Sequence, residues 1–362
     1  MTGGAMKPNS FIQNLKPYTP IAHKVWEISK KQEILKLDWN ESSVPPSPKV
    51  LTALQQAIVN DNLHWYPNTH NIELLTLLGK YANVPSECVE IFASSDCSHE
   101  FILQVFGSVG DKVCIVAPTY DNFRSRADGI GLQSIFFHTD EKGNIDFNLL
   151  DSFLANKQPK IVYICNPNNP TGTLHDILNL ELLITKYGDM LFVIDEAYYE
   201  FCGRSVAYLL PTMQNLIITR TFSKAFSLAS FRIGYCLSSA QNIAALNLLR
   251  NAKNIAHLSQ VAAIAALKDK EYMESYVKEV RLAREFFINA LDSMRVFKLY
   301  PSNANFVFIR HRDINGLKMF LEKRNIFIRD YSHIVDKHCR ISIGTREQMQ
   351  RVVREIKRFC NE

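Results

Sequence analysis

Residues 190–201, MLFVIDEAYYEF, set five consecutive apolar side chains directly in front of a carboxylate, Asp195. An apolar run that does not alternate predicts a strand covered on both faces, as in a parallel sheet flanked by helices. Such a strand carries Asp195 into the interior, where an unpaired charge costs several kcal/mol, so a cationic partner is expected beside it. The plainer alternative is a helix N-cap following a strand.

The flanking sequence repeats the pattern. The runs DKVCIVAP (111–118), PKIVYICNP (159–167), NLIITRT (215–221) and FRIGYCLSS (231–239) are separated by amphipathic stretches such as IELLTLLGKYANV (72–84) and NLELLITKYG (179–188). That alternation predicts an α/β fold, a mostly parallel sheet with crossover helices. Three of these runs lead into polar residues, Asn166, Asp195 and Ser223. Ligands of open α/β sheets bind beyond the carboxyl ends of the strands, so the three groups are expected on one rim. From about Asn254 the text becomes long and helical, then gives the shorter strands NFVFIR, IFIRDYS and CRISIG and a last helix, REQMQRVVREIKRFC. This predicts a smaller α+β domain. The expected division is a large domain over residues 46–256 and a small one formed by residues 1–45 and 257–362.

Composition agrees with a soluble two-domain protein: 362 residues, 47% hydrophobic and 21% charged. The net charge of +5 is spread along the chain without a run of five Lys or Arg, which argues against a nucleic-acid surface and suits a small anionic ligand. No apolar stretch approaches the roughly 20 residues of a membrane span, and MTGGAMKPNS lacks the apolar centre of a secretory signal. The eight cysteines form no CxxC pair and read as thiols buried in a reducing cytoplasm.

Lys224, in TRTFSKAFSLASFRIGY (219–235), follows a predicted strand, with Thr221, Ser223 and Arg232 as possible oxyanion donors. An amine held there and partly desolvated suits Schiff-base chemistry, although a surface lysine is the commoner case. A pyridinium nitrogen would supply Asp195 with its partner. Asn169, in ICNPNNPTGT, is either part of a tight turn or a rigid donor to a ring oxygen. Tyr120, in VAPTYDNF, could stack on a planar cofactor or simply pack. Ser95 and Asp96 open an amphipathic helix whose free N–H groups could hold a phosphate, or are an ordinary cap. The competing motif GIGLQS (129–134) lacks the third glycine of a dinucleotide site. There is no GxxxxGK[ST] loop and no spacing that suggests a metal.

In order and spacing these pieces resemble fold-type I pyridoxal-phosphate enzymes of the class I/II aminotransferases, with the histidinol-phosphate aminotransferase family most similar. The likeness runs through LKPYTPIA, LDWNESSVPPSP, WYPN, APTYDNF, NPNNPTG, VIDEAYYEF, TFSKAFSLASFRIGY, SNANFVFIR and CRISIGTREQM. It implies pyridoxal 5'-phosphate held by Lys224 as an internal aldimine, with Lys224 also the acid/base of the proton shift. It implies Asp195 on the pyridine nitrogen, Asn169 and Tyr198 on the ring oxygen, and Tyr120 stacked on the ring. Ser95, Asp96 and Cys97, with Ser223 and Arg232, would bind the cofactor phosphate. Tyr66 would reach the phosphate in a neighbouring subunit, implying a homodimer. Arg340 would clamp a substrate carboxylate, Tyr18 and Arg346 would meet a distal phosphate, and Asn40 would line the same pocket. Cys97 in place of a glutamate, Ser227 and Ser230 near the lysine, and LLRNAKN before Asn254 depart from the family pattern.

The reaction so implied moves an amino group between L-glutamate/2-oxoglutarate and a small phosphorylated substrate, L-histidinol phosphate/imidazole acetol phosphate being the family default. This would be a step of amino-acid biosynthesis. The alternatives on the same fold are decarboxylation of phosphoserine or phosphothreonine and an aromatic amino acid aminotransferase. A cofactor-sensing protein and a nicotinamide-dependent dehydrogenase are the readings from other classes.

Overall fold

The computed structural model describes residues 6–13, 15–16, 18, 24–28 and 34–361. Pro17 and residues 19–22 of the LKPYTPIA motif lie outside the described residues, as do residues 1–5. In chain order the strands are β1 (Leu35–Leu37), β2 (Val89–Phe92), β3 (Lys112–Ala117), β4 (Gln133–His138), β5 (Ile161–Cys165) and β6 (Leu191–Asp195). They continue as β7 (Leu216–Thr221), β8 (Gly234–Ser238), β9 (Lys298–Leu299), β10 (Phe306–Arg310), β11 (Ile326–Asp330) and β12 (His338–Ser342).

Seven strands form the larger sheet in the order β2–β8–β7–β6–β5–β3–β4. Every residue of β5, β6 and β7 is buried, which is why their sequences run apolar without alternation. Strand β4, at the edge, is only partly buried, and its mixed text QSIFFH gave no such signal. The strands from β3 to β7 pair in parallel, while β8 is antiparallel to both β7 and β2. The reversal follows from the connection. Residues 222–233 hold only a single 3-10 turn, Ala229–Phe231, and no helix of the kind that usually carries a parallel crossover over the sheet face. The chain therefore doubles back at the sheet rim, and Lys224 lies in the loop that does so.

The smaller sheet has the order β1–β11–β12–β10–β9. Strand β1, from near the N-terminus, pairs parallel to β11, joining the two ends of the chain. The last helix, Arg346–Asn361, buries Met349, Val352, Val353 and Ile356, an i, i+3, i+4, i+7 stripe. It packs on the long helix Lys270–Asp292 and on Ile314–Glu322. The His257–Lys268 helix lies against Pro48–Asn60 and Ile72–Ala82. Cys114, Cys165, Cys236 and Cys339 are buried, whereas Cys360 is exposed and the other three cysteines are intermediate.

Candidate active site

The carboxyl ends of β3, β5, β6 and β7 open into a cavity of about 1610 Å³, walled on the far side by residues of β11 and β12. Asp195, the last residue of β6, is 3% exposed, and each of its carboxylate oxygens accepts one hydrogen bond while the residue still lines the cavity. Tyr163 Oη donates to Oδ2 at 2.8 Å, and the Ala197 N–H donates to Oδ1 at 3.1 Å.

Lys224 enters three residues after β7 ends. Its Nζ donates to the Trp39 carbonyl at 2.9 Å and sits 6.0 Å over the Tyr198 ring. Burial, reinforced by the Arg340 guanidinium, lowers its pKa to about 8, so a substantial neutral fraction exists near physiological pH. The lysine loop is held from both ends. Thr221 Oγ1 donates to Ser223 Oγ at 3.0 Å and accepts the Ser223 N–H at 3.1 Å. Ser227, with φ of 60°, donates through Oγ to Ser42 Oγ at 2.7 Å, so this departure from the family pattern ties the loop to the N-terminal segment.

Beside the lysine, the Ser95–Phe106 helix begins at the rim. Ser94, at φ 106°, caps it by accepting the Cys97 N–H at 3.3 Å. The free N–H groups of such a first turn face an anion readily. Asp96 accepts from Arg232 Nη2 at 3.4 Å and from Asn122 Nδ2 at 3.3 Å. A Cβ on Gly234 would lie 2.6 Å from the Ser95 nitrogen and 2.8 Å from the Arg220 carbonyl, so this close approach of β8 to the helix start admits only glycine.

On the opposite wall, Arg340 Nη1 donates to Asn169 Oδ1 and, at 3.0 Å, to Tyr331 Oη, while Nη2 donates to the Asp38 carbonyl at 2.7 Å. Its Nε has no partner among the described residues. Arg329, directly opposite Arg340 in the β11–β12 pairing, also lines the cavity, and its buried Nη1 is likewise unpartnered. Tyr18 stands edge-on to Tyr120 with centroids 5.7 Å apart. Burial pushes the hydroxyls of Tyr18, Tyr120 and Tyr198 above the ordinary tyrosine range, so all three stay protonated. Tyr198 Oη accepts from Asn40 Nδ2 at 3.1 Å, which leaves its own proton to be donated.

The family model for aminotransferase class I and II matches residues 32–356. The chain belongs to this family. A dihydroxyacetone phosphate transaminase from Campylobacter jejuni is 49% identical over 99% of this chain and 98% of that one. A histidinol-phosphate aminotransferase from Ruminiclostridium cellulolyticum is 34% identical over 90% and 92%. The crystal structure of the Sinorhizobium meliloti histidinol-phosphate aminotransferase in complex with pyridoxal-5'-phosphate superposes with a TM-score of 0.84, at 25% identity and 99% coverage of each chain.

The aminotransferase is thus an enzyme of the type I pyridoxal-phosphate fold. Its cavity suits that cofactor on its own chemistry: a buried carboxylate at one strand end, an amine beyond the next, and a helix N-terminus with two hydroxyls and Arg232 for a phosphate. Of the residues singled out from sequence, Lys224, Asp195, Tyr198, Ser95, Asp96, Tyr120, Asn169, Ser223, Arg232, Tyr18 and Arg340 all line this one cavity. Asn40 stands behind it, buried, where its Nδ2 supports Tyr198 and Ser342 Oγ donates to its Oδ1. The Cys97 side chain packs against the core, so it is the helix start, not its thiol, that faces the cavity.

Arg346 is a correction. It opens the last helix, 5.6 Å over the Phe286 ring, in a separate surface depression shared with Leu282 and Glu285. Because that helix packs along Lys270–Asp292, its first residue faces the helix and not the cavity. A cavity arginine overlooked in IFIRDYS is Arg329, which stands beside Arg340 on the far wall; the signal was an arginine in an otherwise apolar strand. Tyr66 is 77% exposed, its ring 4.5 Å under Lys253 Nζ, and does not line the cavity of its own chain.

Proposed function

We propose that this aminotransferase carries an amino group from L-glutamate to a small keto phosphate, with dihydroxyacetone phosphate as the acceptor. The observation that carries the reading is the pair Arg329 and Arg340, opposed on adjacent strands, both buried and each with an unpartnered N–H. Two such guanidiniums favour a dianion or a second carboxylate at the end of the cavity remote from the helix N-terminus. The 49% identity to the C. jejuni transaminase supports dihydroxyacetone phosphate in particular. A second reading, L-histidinol phosphate/imidazole acetol phosphate, has support from the 34% relative and from an aromatic wall of Tyr18, Tyr120 and Tyr331 that would accept an imidazole.

Pyridoxal phosphate, when bound, supplies an electron sink for the pair left as a bond to the amino-bearing carbon breaks. In this reading Lys224, with its lowered pKa, would take the proton from that carbon and deliver it to the carbon on the far side of the amino nitrogen, a 1,3-shift. Asp195 would keep the ring nitrogen cationic, and Tyr198, backed by Asn40, would donate its free proton to the ring oxygen. Asn169 has Oδ1 committed to Arg340, and its Nδ2 would donate to the same ring oxygen. The Ser95–Asp96–Cys97 helix start, Ser223 and Arg232 would hold the cofactor phosphate, and Tyr120 would stack on the ring. Arg340, Arg329 and Tyr18 orient the substrate. Tyr66 would complete the neighbouring site of a homodimer whose cofactor rests on the 46–256 domain. Eight unpaired thiols support a reducing, cytoplasmic setting.

The test is a pair of half-reactions. L-Glutamate is expected to bleach the cofactor's visible absorbance, and dihydroxyacetone phosphate to restore it at least ten times faster than imidazole acetol phosphate. Restoration by neither keto phosphate, or carbon dioxide release from phosphoserine without an acceptor, overturns the reading.

A further inference from the structure

We propose that Tyr163 and His99 are positioning residues for Asp195, Tyr163 gripping its carboxylate from behind by a hydrogen bond and His99 backing it through Thr219 and Tyr163, so that the proton shared with the cofactor's ring nitrogen stays on the ring. Strand geometry puts the three together. Tyr163 is the partner of Val193 in the β5–β6 register, and Asp195 lies two residues further on the same face. Thr219, on β7, is the partner of Asp195 on the other side. Tyr163 Oη donates to Asp195 Oδ2 at 2.8 Å. His99, one turn into the helix that begins at Ser95, sets Nε2 2.9 Å from Thr219 Oγ1 and 3.8 Å from Asp195 Oδ2.

The grip is rigid. Tyr163 is fully buried, stacked on Phe123 at 3.9 Å and 16°, and His99 stands edge-on to both rings at 5.3 and 5.6 Å. Burial and the Asp195 charge both hold the proton on the Tyr163 oxygen, so it acts only as a donor to the carboxylate. His99 Nδ1 is buried without a partner among the described residues. An apolar side chain would fill the same space without that orphaned atom, so packing alone does not account for an imidazole here. Each hydrogen bond accepted by a carboxylate stabilises its charged form. The bonds from Tyr163 and the Ala197 N–H also fix the orientation of the Asp195 carboxylate before the cofactor arrives.

The inference rests on the cofactor and is independent of which keto phosphate is used. The experiment measures cofactor affinity of the cofactor-free protein by fluorescence, and the pH midpoint of the bound cofactor's visible band, in Tyr163→Phe, Asp195→Asn and the double variant. Tyr163→Phe is expected to weaken affinity about tenfold in the parent and less than twofold when Asp195 is already Asn, the signature of direct coupling. The midpoint is expected to move by at least about half a pH unit in Tyr163→Phe. Equal losses in both backgrounds, or an unmoved midpoint with parental affinity, overturn the proposal. If Tyr163→Phe does not fold, His99→Gln in the same cycle decides by the same criteria.

Discussion

At Lys224, burial and the Arg340 guanidinium act in the same direction, both favouring the neutral amine. With a folded pKa of about 8 against an ordinary 10.5, the unfolded chain binds more protons between those values, so this group makes the cofactor-free protein more stable as pH rises through that window. The cofactor-free Lys224→Met variant should accordingly exceed the parent in stability by about 1–2 kcal/mol below pH 8, allowing for water in the cavity, with the gap closing towards pH 10.5; denaturant unfolding across that range measures it. The same variant should lose the visible band and at least about a thousandfold in turnover. The two arginines divide cleanly. Arg329→Gln should raise the KM for the keto phosphate about thirtyfold, the loss of one buried charge-assisted contact, whereas Arg346→Gln, 5.6 Å over Phe286, should stay within about twofold. Steady-state kinetics of both variants separates them. Lys224 and Asp195 were legible because each follows an apolar strand that ends at the rim. Arg329 was not, because an arginine in an apolar strand is a local signal that does not say which face the side chain takes; its place follows from pairing with Arg340 across β11 and β12.

Among the elements, the start of the Ser95–Phe106 helix and strand β8 make the tightest backbone approach at the site. Gly234→Ala would thrust a methyl to 2.6 Å from the Ser95 nitrogen and 2.8 Å from the Arg220 carbonyl, and both obstacles are backbone. Thermal or denaturant unfolding should show a loss of about 2–3 kcal/mol, and cofactor affinity should fall about tenfold or more because the first-turn N–H groups are displaced. The central strands and the terminal amphipathic helix could be read from the text, since full burial and a 3.6-residue stripe both leave a pattern. The reversal of β8 could not, because its apolar run looks the same in either direction; the short 222–233 connection decides it. Edge strand β4 was missed for the related reason that partial burial leaves no clean period.

At the scale of the whole molecule, Tyr66 lies exposed and away from its own cavity, as the proposed exchange across a homodimer requires. Mixing Tyr66→Phe with Lys224→Ala subunits in equal amounts, after exchange, should restore about a quarter of the wild-type sites, since half of the dimers are mixed and each has one intact site. Activity no higher than the sum of the two parent variants would exclude sharing. The apolar runs, their order and the residues that end them determined the α/β class and the polar groups of the rim, because burial on both sheet faces and polar strand ends are local properties that composition and spacing record; the cofactor came from the family resemblance that the motifs carry. Which wall a side chain joins was decided only by tertiary packing. The β11–β12 register turned Arg329 into the cavity, and the seat of the last helix against Lys270–Asp292 turned Arg346 away from it. Register and helix seating depend on contacts between segments far apart in the chain, which no single stretch of sequence contains.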